Sequence, residues 1–315
     1  MGNKVAFLTG VCGMDGSHLA DLLLLQGYEV HGLVRRASGP NYGRITHIRE
    51  SLKLHTGDLL DQTSLEEALK QAQPDEIYNL AAQSFVGASF QVPVYTADAT
   101  GLGALRLYEA VRRVCPKAKV YQASSSEMFG NSPSLKQYWP ASPYACAKLF
   151  AHHMADVYRE AYKLDIRCAI NYNHEGERRG SEFVTRKITQ AVARARVEGW
   201  KGPLQLGDLS PVRDWSYAPV VMRIAWEIMQ EPEGRPVTVV CSGEGHSVRE
   251  FLNEAVAYAQ VGSTLDIQES DEFKRPYEVN RLVGVPDIDS GEVGFAEIIH
   301  RMVDHDIETE RYSSR

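Results

Sequence analysis

No stretch of this 315-residue chain is an unbroken apolar run of the ~20 residues that a membrane-crossing helix needs. The N-terminus enters a strand at once, with no basic and apolar leader. A cytoplasmic protein with no membrane partner is expected. Positive charge is also in short supply. Lys and Arg number 34 against 41 Asp and Glu, a net charge of −7, which argues against a general nucleic-acid binder while leaving room for local cations that grip phosphates. Cysteine is sparse, with Cys12, Cys115, Cys146, Cys168 and Cys241 scattered. No C-x-x-C pair or zinc-like histidine spacing occurs, so neither a disulfide framework nor a metal site is expected. Internal repeats, low-complexity tracts and flexible linkers are missing too. What is present, 43% hydrophobic and 24% charged residues, suits a globular enzyme with a sizeable core.

The apolar pattern alternates between strand and helix. Residues 4–9 form a short apolar strand, Gly10, Gly13 and Gly16 open a helix running to Leu25, and residues 29–34 form the next strand. Glycines so spaced let the backbone turn tightly and approach a pyrophosphate at the helix N-terminus, beside Met14 and Asp15. Strands over 52–58, 76–84, 119–124 and 166–173, and helices around 64–71, 98–113 and 184–199, continue the alternation. The expected fold is α/β, a doubly wound parallel Rossmann sheet over 1–173 with a return around 209–242. A smaller C-terminal α/β substrate-binding lobe covers 174–315.

Chemistry gathers where the 119–124 strand ends. Ser124-Ser125-Ser126-Glu127 is followed by Ser142-Pro143, an N-cap and first helical position, and then by Tyr144 and Lys148. Four residues apart on a helix, tyrosine and lysine share a face, and the ammonium would lower the phenol's pKa and make Tyr144 a base. Alone, this spacing fits a packed tyrosine beside a solvated lysine better. With the glycine loop it places hydroxyl, carboxylate, phenol and ammonium at the carboxyl edge of a nucleotide-binding sheet. Cys12 and Cys146 fall near that site. Where the second strand ends, an NAD site usually carries an acidic residue; Arg35-Arg36 stands there instead and fits a 2′-phosphate, favouring NADP over a solvated basic turn. Asp58 and Leu59 suit the adenine edge, and Leu80, Ala82 and Ser84 the nicotinamide ribose.

Several motifs carry a resemblance over nearly the whole chain: Gly-Met-Asp-Gly-Ser at 13–17, Tyr95-Thr-Ala-Asp98, Gln122-Ala-Ser-Ser-Ser-Glu127 and Asn173-His-Glu175. Arg178-Arg-Gly-Ser-Glu-Phe-Val-Thr-Arg-Lys187, Arg213-Asp-Trp215 and Arg275-Pro-Tyr-Glu278 extend it. Together they resemble the GDP-mannose 4,6-dehydratase family of extended short-chain dehydrogenase/reductases. The resemblance implies C4 oxidation of the hexose, loss of water across C5 and C6, and reduction at C6 with recycled NADP. It gives Tyr144 the C4 proton, Lys148 the phenol and nicotinamide ribose, Glu127 the C5 proton, and Ser125 the C4 oxygen, where the family has threonine. It places Tyr95, His174 and Arg179 at the cofactor, and Ser84, Asn173, Val184, Lys187, Arg213, Arg275 and Glu278 at a GDP-sugar such as GDP-mannose. A homo-oligomer, dimer or tetramer, is implied, with the 35–44 loop reaching a neighbour.

The chain departs from the family in a short loop over 131–140, in 280–294 without the usual helix, and in Gly176-Glu177. These bear on sugar specificity. A GDP-heptose dehydratase, a 4-epimerase or 4-reductase, and a non-catalytic NADP-binding regulator remain as alternatives. An epimerase has no use for Glu127, and a regulator need not keep all four catalytic groups.

Overall fold

Strands Val5–Thr9 (β1), Glu29–Val34 (β2), Leu52–Thr56 (β3), Glu76–Asn79 (β4), Lys119–Ser125 (β5), Ile166–Asn171 (β6), Val237–Cys241 (β7) and Ile288–Asp289 (β8) form one sheet. Its order is β8-β7-β6-β5-β4-β1-β2-β3, and every pairing is parallel. The order in which strands are added reverses between β1 and β4, opening a crevice at the strands' carboxyl ends. The structure, a computed structural model, describes residues 3–37, 42–132, 137–262 and 265–313.

Helices cover both faces because strands buried on both sides must be shielded from water on both. They are Met14–Leu25 (α1), Gln62–Ala72 (α2), Gly103–Val114 (α3), Pro143–Tyr162 (α4), Val184–Glu198 (α5), Ala218–Gln230 (α6), Val248–Ala259 (α7) and Phe295–Ser313 (α8). One apolar cluster runs from Leu8 and Leu19 to Ile188, Phe251 and Met302 in α5, α7 and α8, while the other face packs Phe7 and Val120 against Leu69, Leu107 and Ala151. Helix ends follow local chemistry. Asp61 accepts from the amides of Thr63 and Ser64 at the start of α2, and Ser247 with Glu250 forms a capping box on α7. Gly199, at φ +70, ends α5.

Several boundaries differ from the sequence reading. The helix expected from 98 is a π-helical turn over Ala97–Leu102 before α3 begins. The third strand stops at Thr56, opposite the end of β2, and the fourth at Asn79, opposite the end of β1, while β5 runs on to Ser125. Asn173 does not end β6. It opens a separate strand, Asn173–Glu175, paired with Trp215–Tyr217. The 280–294 segment carries Arg281–Leu282 and β8 but no helix. Residues 38–41 of the loop read as reaching a neighbour, and 133–136 of the shortened loop, lie outside the described residues. No helix among the described residues is long and apolar enough to cross a membrane.

Candidate active site

Beyond Ser125 the chain makes one 3-10 turn, Ser126–Met128, in which the Glu127 amide donates to Ser125 Oγ at 3.2 Å. That turn places the Glu127 carboxylate just past the strand end. Ser142 caps α4 by accepting from the Ala145 amide at 3.1 Å, with Pro143 in the first turn. The cap places Tyr144 at the same edge, lining the cleft with Ser125. One turn on, Lys148 Nζ donates to the Ala123 carbonyl at 2.7 Å, just beyond the last β4–β5 pair. Ser125, Glu127, Tyr144 and Lys148 are all buried and line one cleft of about 1010 Å³.

The expected lowering of the tyrosine pKa by lysine is not found. Burial pushes the Tyr144 phenol well above its usual range; the Ser125 hydroxyl opposes the rise, and the Glu127 carboxylate adds to it. Lys148 Nζ lies 5.8 Å from the phenol ring centroid, turned to the backbone. Burial pulls its own pKa down to about 8, with Asp15 pulling the other way.

The glycine loop forms one wall. Gly10 has φ +72, and a Cβ there would meet the Ala81 amide nitrogen at 2.9 Å; a Cβ on Gly16 would lie 2.2 Å from the Gly10 carbonyl oxygen. Gly13 caps α1 without a side-chain hydrogen bond. This bare cradle fits a dinucleotide's pyrophosphate. Facing it, His174 places Nδ1 2.8 Å from the Tyr172 carbonyl and Nε2 3.1 Å from Asp15. Both neighbours only accept, so both ring nitrogens donate and the ring is an imidazolium. Although burial opposes it, His174 holds the Asp15 carboxyl at about 2, with help from Arg179 and His18. Arg179 pairs with Glu175 at 2.6 Å.

Of the residues singled out in the sequence, Arg36 is not among those lining the cleft. Arg35 is, donating to the Tyr95 hydroxyl at 2.8 Å. Successive strand residues point to opposite faces, so only one of an adjacent pair at the end of β2 turns inward. Gly10, Gly13, Met14, Asp15, Gly16, Asp58, Leu59, Leu80, Ala82, Ser84 and Tyr95 lie on the same side. Cys12 lines the cleft, but Cys146, two residues past Tyr144 on α4, is exposed and lies outside it.

Cations gather at the other end with Asn173, Val184 and Lys187. Arg213 pairs with Glu278 at 2.8 Å, and Arg275 sits between Glu278 at 3.3 Å and Glu127 at 3.4 Å. Lys187 stands 4.1 Å over the Phe273 ring. The sequence reading passed over two supports. Buried Asp214 accepts from the amides of Ser242, Gly243 and Gly284 and from the Ser242 hydroxyl, fixing the strand that carries Arg213. Arg44 donates to the carbonyls of Cys12 and Arg178, bracing the glycine loop. Asp214 stands in the Arg213-Asp-Trp215 motif, yet neither it nor Arg44 had an assigned role. Among the described residues no group of three or more His, Cys, Asp or Glu side chains could hold a metal ion.

A doubly wound parallel sheet with a glycine loop and Ser, Tyr and Lys at its carboxyl edge defines an extended short-chain dehydrogenase/reductase. The UDP-glucose 4-epimerase of Thermus thermophilus, solved with NAD, superposes with a TM-score of 0.84 at 28% identity, over 96% of this chain and 98% of that one. A family model described as GDP-mannose 4,6 dehydratase matches residues 7–297. GDP-mannose 4,6 dehydratase 2 of Arabidopsis thaliana is 43% identical over 97% of this chain and 87% of its own length. The human GDP-mannose 4,6 dehydratase is 39% identical over 98% and 92%. The chain belongs to the GDP-mannose 4,6-dehydratase family.

Proposed function

We propose that the chain converts GDP-D-mannose to GDP-4-keto-6-deoxy-D-mannose, with NADP as a resident cofactor. The observation that carries this is the convergence of Glu127 with Ser125, Tyr144 and Lys148 in one cleft. A 4-epimerase needs a base at C4, whereas water loss also needs a carboxylate at C5.

The residues divide the work. Tyr144, acting as its phenolate, takes the C4 hydroxyl proton while Ser125 bonds the oxygen it leaves. Oxidation at C4 makes the C5 hydrogen acidic, and Glu127 removes it. The same carboxyl then gives its proton to the C6 hydroxyl, which departs as water, and when C6 is reduced C5 takes up one proton, which balances the one Tyr144 removed from the C4 hydroxyl. A bound nicotinamide would supply hydride acceptance at C4 and hydride return at C6. Gly10, Gly13 and Gly16 would hold its pyrophosphate, His174 and Arg179 would add positive charge beside it, and Arg35 would read the 2′-phosphate. Arg213, Arg275 and Lys187 hold the substrate diphosphate and base end, and Glu278 the ribose. The same reading carries self-assembly as a dimer or tetramer. Incubation with GDP-mannose deuterated at C4 tests it. Deuterium is expected in the new C6 methyl group, and a product lacking it, or a sugar that keeps its water, overturns the proposal.

A further inference from the structure

Three of the four groups at the sheet's carboxyl edge are set by the elements that carry them. Ser125 ends β5, Tyr144 follows the cap of α4, and Lys148 is tied to the Ala123 carbonyl at 2.7 Å. Glu127 differs. Its amide is fixed by the Ser125 turn, but its buried carboxylate is met from the far side of the cleft, where Arg275 Nη1 lies 3.4 Å from Oε1. The two residues are 148 positions apart in the chain. Among the described residues this is the one hydrogen bond that the Glu127 carboxylate makes.

Arg275 is itself held. The same Nη1 lies 3.3 Å from Glu278 Oε1, and that oxygen also accepts from Arg213 Nη2 at 2.8 Å and from the Val279 amide at 3.0 Å. Buried Arg213 donates in turn to the Val279 carbonyl at 2.7 Å. Charges therefore alternate along one row, Glu127, Arg275, Glu278 and Arg213, and the row ends on backbone. Burial lowers the Arg213 pKa and the Glu127 carboxylate opposes it, so Glu127 is within reach of both guanidinium charges.

We propose that Arg275 is a positioning residue for Glu127, fixing the carboxylate for proton removal at C5, in addition to its place at the substrate diphosphate. This role rests on the dehydratase reading. A guanidinium carries five N–H donors in a fixed fork, and only Nη1 is engaged among the described residues. The other donors are left for a phosphate while Nη1 keeps Glu127. With Oε1 taken by Arg275, Oε2 receives the C5 proton and passes it to the C6 hydroxyl. Diphosphate recognition and water loss then share one side chain.

Arg275→Ala, in NADP-loaded protein at saturating GDP-mannose, tests this. The kcat is expected to fall about 10- to 100-fold, the cost of a misplaced catalytic group, with partial recovery on adding guanidinium ion. A side chain that held the diphosphate alone would change KM and GDP affinity and leave the saturated kcat intact. In a Glu127→Ala background no carboxylate remains to be positioned, so there Arg275→Ala should change kcat by less than about twofold. Calorimetry with GDP reports that each variant is folded. If the alanine variant binds no GDP, Arg275→Lys, which keeps the charge but not the fork, is carried through the same cycle. An unchanged saturated kcat overturns the positioning role, and so do equal losses with and without the Glu127 carboxylate. Wild-type product formation is scored separately. If wild type releases no 4-keto sugar, the dehydratase reading fails and this role with it, whereas normal wild-type turnover with equal losses in the two backgrounds removes the role alone.

Discussion

Lys148 and Tyr144 stand one helical turn apart, yet the lysine nitrogen bonds the Ala123 carbonyl at 2.7 Å and lies 5.8 Å from the tyrosine ring. The ammonium is therefore a buried cation held by the backbone. Its pKa of about 8 in the folded protein is below the ordinary 10.5, so between these values the unfolded chain binds more protons than the folded one. Stability from this group accordingly rises with pH across that window.

Lys148→Met removes the charge and keeps the length. At pH 7 the cofactor-free variant is expected to be about 1–3 kcal/mol more stable than wild type, an advantage that shrinks as pH climbs toward 10.5, while turnover is lost. Urea unfolding at pH 7 and pH 10 measures this, and a variant less stable at pH 7 contradicts it.

Glu127→Gln preserves the shape of the group beside Arg275 but cannot accept a proton. Product formation is expected to fall by about 10²–10⁴, with cofactor and GDP-mannose still bound. Binding calorimetry together with product NMR separates the two effects. Turnover close to wild type would remove Glu127 from the chemistry.

Arg35 is the inward member of its pair and reaches Tyr95 across the cleft. Arg35→Glu is expected to weaken NADP by about 10- to 100-fold relative to NAD, the scale of one charged hydrogen bond. Competitive titration of the two cofactors reads the ratio. A larger loss in Arg36→Ala would show that the wrong arginine has been assigned.

Asn131 makes a two-way tie to the segment that carries Arg275 and Glu278. Its amide donates to the Glu278 carbonyl at 2.8 Å and accepts from the Asn280 amide at 3.3 Å. Asn131→Asp keeps the acceptor and sets a carboxylate against the carbonyl. KM for GDP-mannose is expected to rise about three- to tenfold with kcat little changed. Initial-rate kinetics decide it; a fall in kcat at constant KM would place Asn131 in the chemistry instead.

The glycine loop, the strand ending at Ser125 and the cap of α4 were legible because each is local. Turn, period and cap are written in consecutive residues. The π turn at 97–102 was not, since its residues read as ordinary helix and its form depends on packing against α4. Nor was the strand of Asn173, whose partner Trp215 lies 42 positions further along the chain. Asp214 and Arg44 escaped for a related reason. Each serves a carbonyl or amide from a distant loop, and no spacing in the sequence encodes that.

The order of strands and helices, the nucleotide cradle and the residues available for chemistry are set by the sequence itself, since backbone geometry and side-chain periodicity act over neighbouring residues. Which arginine faces the cleft and where the Lys148 ammonium points were decided only when distant segments packed together. Burial and hydrogen-bond partners, and with them the charge each group carries, are properties of that packing.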